Sequence, residues 1–219
     1  MAYQTADARK QFDRWSFSYD FDPLQLFFFR PAHQILLDVL DSADQRILDI
    51  GCGTCAFAAR VLERFPDTHV WGVDLSDGML RRCQKRRLAA QGRLQLVQAD
   101  SARLPFKDNS FDAITCTHSF HHYPCQELAV AEMHRVLRPG GKLLIIDGDR
   151  DRTWGHLLFD VLVVFFEGPV RHLTSRGFRD LYQNAGFEKV FQRRRHGPLP
   201  FLLTCGRATK STPPARRAA

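Results

Sequence analysis

The sequence predicts an α/β fold: a mostly parallel sheet of seven strands with helices on both faces, an antiparallel C-terminal hairpin and a helical lid ahead of the first strand. Three observations carry that expectation. From Arg46 onward, short apolar runs of strand length alternate with stretches of helical spacing. A glycine-containing turn, Asp49-Ile50-Gly51-Cys52-Gly53-Thr54-Cys55-Ala56, joins the first strand to the helix that follows it. Two strand-like runs close the chain around Gly197-Pro198-Leu199-Pro200, a connection short enough for a hairpin.

The elements follow in order. Residues 1–44 read as an irregular helical lid, rich in aromatics (Phe12, Trp15, Phe17, Tyr19, then Phe27 to Phe29) before Pro31, with a helix expected over 33–40. Residues 45–210 form the main domain. Its first strand is Ile47-Leu48-Asp49-Ile50. A helix over 54–65 has Phe57, Val61 and Leu62 on one face and stops at Pro66. Strands are expected at 69–73, 94–98, 111–117 and 142–147, and helices at 77–90 and 126–137. A last helix at 174–185 precedes strands at 187–194 and 201–205. Residues 211–219, made of Pro, Ala, Arg, Ser and Thr, offer nothing to bury and are expected to be a disordered tail.

Composition narrows the function. The 219 residues are 44% hydrophobic and 25% charged, so a core of normal size is available without staples. No run approaches the ~20 apolar residues of a membrane helix. The N-terminus lacks a basic region followed by an apolar one, so a cytoplasmic location is the expectation. Six cysteines are scattered through apolar segments and are not set out as a secreted disulfide framework. The formal charge of +7 comes largely from basic clusters at 81–87 and 193–195 and from the tail. Such clusters attract anionic partners, but solvated faces are the simpler account.

The glycine turn is the first functional signal. It lets the backbone approach a ligand closely, and the helix beyond offers free N–H groups to an anion. Asp74 stands 21 residues after Gly53, where an acid binds ribose hydroxyls in nucleotide folds. Gly51, Gly53 and Ala56 also satisfy the dinucleotide fingerprint, so a nicotinamide or flavin enzyme competes at this point.

Further stretches decide the comparison by resemblance. Residues 47–55 resemble the first motif of class I S-adenosylmethionine-dependent methyltransferases, and Val73-Asp74-Leu75-Ser76 with Met79 resembles their second. Gln98-Ala99-Asp100, Leu104-Pro105-Phe106 and Asp108-Asn109-Ser110-Phe111-Asp112 are similar to the ubiquinone/menaquinone-biosynthesis-like subgroup (methyltransferase type 11). So is the stretch from Glu132 to Gly141. The resemblance covers residues 10–150 and implies a Rossmann-like fold with S-adenosylmethionine (SAM) as cofactor. It implies that Asp74 accepts from the ribose hydroxyls and that Asp100, with the Ser101 and Ala102 backbone, meets adenine. Leu75 and Met79 pack on the base. Asp49, Gly51, Cys52 and Gly53 surround the methionine moiety. Thr117 and His118 line the pocket, and Tyr19 closes over it. The family commonly has glycine where this chain has Cys55, so a side chain there is expected to crowd the cofactor. A redox or metal role for the resulting C-x-x-C pair is the lesser expectation.

Methyl transfer is an in-line displacement that rests on alignment. A base is needed only where the acceptor must lose a proton. The loop after the fourth strand, Thr117-His118-Ser119-Phe120-His121-His122-Tyr123, faces the donor, and His121 or His122 is the candidate base. No metal site is expected from these histidines. Superfamily members that methylate nucleic-acid amines usually carry Asn/Asp-Pro-Pro-Tyr/Phe at this place, so nucleic acid is not the expected partner. The aromatic residues of 12–37 and 150–175 suit a small, apolar or aromatic acceptor. A membrane-associated lipid methyltransferase with peripheral membrane contact, and a non-catalytic SAM-binding interaction protein, are the alternatives. The oligomer is expected to be a monomer or a homodimer.

Overall fold

The central strand runs are apolar on both faces, the pattern of a sheet covered on both sides. The computed structural model describes residues 29–151, 155, 170–195 and 200–209, and there these runs form one seven-stranded sheet. β1 (Arg46–Ile50), β2 (His69–Asp74), β3 (Leu94–Gln98), β4 (Phe111–Thr117) and β5 (Leu137–Gly148) run parallel. β6 (Phe187–Arg195) and β7 (Phe201–Ala208) form the antiparallel pair. The order is β3-β2-β1-β4-β5-β7-β6, so β7 is inserted beside β5 and β6 takes the edge.

Side chains alternate strictly between two cores, as the period of a strand requires. Ile47, Leu144 and Ile146 face one core, which α1 (Arg30–Leu37), α2 (Ala56–Arg64) and α3 (Asp77–Arg82) complete with Leu36, Phe57, Val61 and Leu80. Leu48, Ile50, Leu143 and Ile145 face the other, covered by Val130 and Met133 of α5 (Gln126–Val136) and Phe178 and Tyr182 of α6 (Ser175–Asn184).

Three boundaries differ from expectation. The helix expected over 77–90 is interrupted at Cys83, which ends α3 and opens α4 (Gln84–Ala89); its N–H is shared between the Met79 and Leu80 carbonyls. The fifth strand begins at Leu137, because Leu137 already pairs with Phe111 before an irregularity in the register. α1 starts at Arg30, with Pro31 in its first turn, where a missing N–H costs nothing. Tyr19, most of the aromatic lid residues, Gly197 to Leu199 of the connection and the tail lie outside the described residues.

The strand order reverses between β1 and β4. In open α/β sheets, ligands bind beyond the carboxyl ends of the strands at such a point. The register pairs Thr117 with Ile146, so the ends of β4 and β5 are level and the residues just after them meet.

Candidate active site

A cleft of about 720 Å³, its mouth included, opens at that reversal. Gly51, Gly53, Asp74, Leu75, Met79, Asp100, Ser101, Thr117, His118 and His122 line it. A smaller hollow continues it past Gly51 and Gly53 to Asp49, Cys52, Phe29, His33 and Phe57. The structure thus brings nearly all of the predicted cofactor residues to one place.

The turn after β1 explains the glycine at position 51. Its φ is +68°, and a Cβ there would stand 2.2 Å from the Ser119 hydroxyl oxygen. Any side chain would both strain the backbone and collide with the β4 loop. Gly53 N–H donates to Asp74 Oδ2 (2.8 Å), and Ser76 N–H donates to Oδ1 (2.9 Å). Both carboxylate oxygens are therefore held by backbone donors at the wall of the cleft. That is the arrangement a vicinal diol requires. Val73, Leu75, Met79 and Ala99 give the same wall an apolar character suited to a purine.

Asp49 differs from Asp74 in its surroundings. It is 2% exposed and accepts from the Thr115 hydroxyl (2.8 Å). Burial pushes its carboxyl up to about 7; the Thr115 hydrogen bond opposes this and the Asp74 charge adds to it. His33 closes the same hollow, and burial, together with Arg60 and His118, holds its imidazole down to about 3. His33 is therefore a neutral wall beside an acid that has no cation paired with it among the described residues. An ammonium group is the complement of that hollow.

At the mouth, His118 has a left-handed φ of 48°, and its N–H donates to the Ile146 carbonyl (2.9 Å). A 3₁₀ turn (Phe120–His122) follows. His121 does not line the cleft. It turns inward, where Nδ1 lies 2.7 Å from Asp147 Oδ1 and its backbone N–H donates to Oδ2 (3.1 Å). The carboxylate thereby places the proton on Nδ1 and leaves Nε2 as the basic atom. The His172 ring stacks on His121 at 4.4 Å, and the His122 ring lies 4.3 Å away. Burial alone would push the Asp147 carboxyl up; the adjacent His121, with His172 and His118, outweighs that and holds it well below the usual carboxylate range. His121, Asp147 and His172 also offer ligand atoms within 4.8 Å of one another, as metal sites do. The near-parallel stacking, 19° between ring planes, aims the two imidazole lone pairs along separate planes and does not suit a shared ion.

Some expected positions behave otherwise. Ala102 is not a lining residue; its N–H donates to Asp100 Oδ1 (2.9 Å). Cys52 contributes backbone, its N–H bonded to the Val73 carbonyl, while its sulfur packs towards Gly72. Cys55 does not crowd the cleft. It is fully buried and disulfide-bonded to Cys83, among the α2 and α3 core residues. Sequence reasoning missed Asp147, His33, Ser119 and Tyr123 as site residues. An acid at the carboxyl end of a parallel strand was the available signal for Asp147, and the loop after the fourth strand for Ser119 and Tyr123; for His33 there was none.

Residues 48–145 match a family described as a methyltransferase domain. Over that stretch the chain is similar to class I SAM-dependent methyltransferases. SAM is accordingly the cofactor that this cleft fits. Over 108 residues the chain is 36% identical to a demethylmenaquinone methyltransferase of Thermus thermophilus, covering 49% of each chain. Over 182 residues it is 28% identical to a sterol 24-C-methyltransferase of Neurospora crassa, covering 78% of this chain and 48% of that one. The chain thus spans about half the length of these relatives. A Thermotoga maritima structure, described as a SAM-dependent methyltransferase and possible histamine N-methyltransferase, superposes with a TM-score of 0.75 at 23% identity. It covers 92% of this chain and 100% of that one, and shows the fold. No helix among the described residues is long and apolar enough to cross a membrane.

Proposed function

We propose that this protein transfers the methyl group of SAM to a small apolar or aromatic acceptor, at an oxygen or an acidic carbon whose proton leaves through the cleft-lining His122 to the buried His121–Asp147 pair behind it. The single observation that carries this reading is the buried His121–Asp147 pair beside the cofactor cleft, with Nδ1 and Oδ1 2.7 Å apart. SAM supplies an electrophilic methyl group on a sulfonium. The chain's own residues then have two tasks, to align the acceptor and to hold its proton. Asp147 fixes the His121 ring through three points: two hydrogen bonds from His121, and a Gly148 N–H (2.8 Å) that orients the carboxylate itself. A carboxylate so placed also stabilises the imidazolium that forms when the proton is taken. Base assistance of this kind contributes about 10²–10⁴-fold.

The names of the relatives, acting on a quinone precursor and a sterol, support an apolar ring-bearing acceptor. Nucleic acid is disfavoured, since the basic clusters are partly neutralised: Arg81 pairs with Asp77, Arg193 with Asp38 and Arg194 with Asp149 and Asp151. The test is methyl-labelled SAM offered with 1,4-naphthoquinol and simple phenols. His121→Ala and Asp147→Asn are expected to lower kcat about 10²-fold or more, with S-adenosylhomocysteine (SAH) affinity within twofold of wild type. Full kcat in His121→Ala would defeat the assignment. Absence of turnover in the wild type on every acceptor would favour a binding protein.

A further inference from the structure

We propose that Cys52, Cys55 and Cys83 form a thiol–disulfide site that couples the cofactor loop to the redox state of its surroundings. The three sulfurs lie within 4.8 Å of one another and all three residues are buried. Cys55 and Cys83 are bonded, with Cα atoms 5.5 Å apart, and Cys52 Sγ stands 3.8 Å from Cys55 Sγ. Cys116, Cys125 and Cys205 remain free thiols with Cys52. The chain therefore keeps a single crosslink, and that crosslink is under its cofactor loop.

The bond joins the two supports of the cleft. Cys55 ends the glycine turn and caps α2; Cys83 sits at the junction of α3 and α4, one turn after the cleft residue Met79. Cys83 Sγ also lies 3.1 Å from the Gly53 carbonyl oxygen, and the Gly53 N–H is one of the two donors that fix Asp74. Cys55 has a left-handed φ of 62°, a conformation that strains a non-glycine residue. A crosslinked residue held in a strained conformation directly before a ligand-binding helix is a candidate functional element, not an incidental contact.

Reduction changes the space the sulfurs need. Two electrons and two protons from an external dithiol break the Cys55–Cys83 bond and give two thiols, and the dithiol leaves as its own disulfide. Bonded sulfurs are about 2.05 Å apart, whereas unbonded heavy atoms settle at roughly 3.5–4 Å. Cys52 already fills the adjoining space and the core behind is close-packed. Reduction therefore releases the crosslink that holds Cys83 against the Gly53 carbonyl, and through Gly53 it reaches Asp74. Reduction weakens cofactor binding. By linkage, bound cofactor must protect the bond by the same factor.

The test uses the full chain and SAH. Alkylation and mass spectrometry establish four free thiols in protein treated with oxidised dithiothreitol and six after reduction. Calorimetry then gives the SAH Kd of each form. The reduced form is expected to bind at least fivefold more weakly, the lower end of ordinary coupling, and to recover on reoxidation. Saturating SAH is expected to shift the midpoint of the dithiol titration by the matching amount, about 20 mV for fivefold. Cys83→Ser is expected to show the weaker Kd in both buffers; the wild-type arms decide the matter if that variant does not fold. Equal Kd in the two states, or six free thiols under oxidising conditions, overturns the proposal alone. No SAH binding in either state overturns it together with the cofactor assignment.

Discussion

Asp49 makes the cofactor site a pH-dependent receptor. Its carboxyl is pushed up to about 7 in the empty protein, with burial as the leading cause. An ammonium can use it only as a carboxylate, so at lower pH binding must first expel a proton. With that value the affinity is scaled by the ionised fraction, roughly three-quarters at pH 7.5 and one-tenth at pH 6. The Kd for SAH is therefore expected to rise about eightfold from pH 7.5 to pH 6, about 1.3 kcal/mol. Calorimetric titration across this range measures it. Methylthioadenosine, which lacks the amino-acid group, is expected to show a flat profile. His118 faces the same cleft, and Asp49→Asn, which keeps the shape and the Thr115 partner, separates its contribution. The stability sign agrees. The folded protein holds the Asp49 proton up to about 7, whereas the unfolded chain releases it near 3.8. Unliganded stability attributable to this group is therefore fully present below 3.8 and falls as pH rises through 7. The gain in Tm on adding SAH should grow over the same interval. A flat SAH profile in the wild type, or an undiminished slope in Asp49→Asn, would refute the reasoning.

Two other predictions follow from buried charges. Asp74→Ala removes the acceptor that both the Gly53 and Ser76 N–H groups address, and SAH affinity measured by calorimetry is expected to fall at least tenfold, about 1.4 kcal/mol; near-wild-type affinity would remove Asp74 from the ribose site. Lys142→Met leaves Asp44 without its cation; Lys142 Nζ lies 2.6 Å from Asp44 and 2.7 Å from Asp41, and the first two side chains are 7% and 5% exposed. Urea unfolding is expected to show a loss of about 3–5 kcal/mol, the usual result of stranding one buried partner.

Much of the fold was legible because its signals are local. Alternation of apolar runs marked every strand of the sheet to within a few residues, since strand and helix periods differ and each is written in adjacent residues. The glycine turn, Asp74 and the acid after β3 were legible for the same reason: a ligand at the carboxyl ends of parallel strands meets the residues that follow each strand. The break at Cys83 was not, because helix propensity runs through 77–90, and the bond of Cys83 to Cys55, 28 residues earlier, is a tertiary contact.

The sequence by itself determined the seven strands, their mostly parallel class and the antiparallel C-terminal pair. Tertiary structure alone decided three things. It paired His121 with Asp147, because the β4–β5 register brings that carboxylate beneath it from 26 residues away. It raised the Asp49 carboxyl and left Asp74 fixed between backbone donors, because burial and the direction of the turn differ between two acids on neighbouring strands. It joined Cys55 to Cys83, whose side chains point away from the cleft into one core. Each outcome depends on distances between segments remote in sequence, and those exist only once the sheet has closed its register.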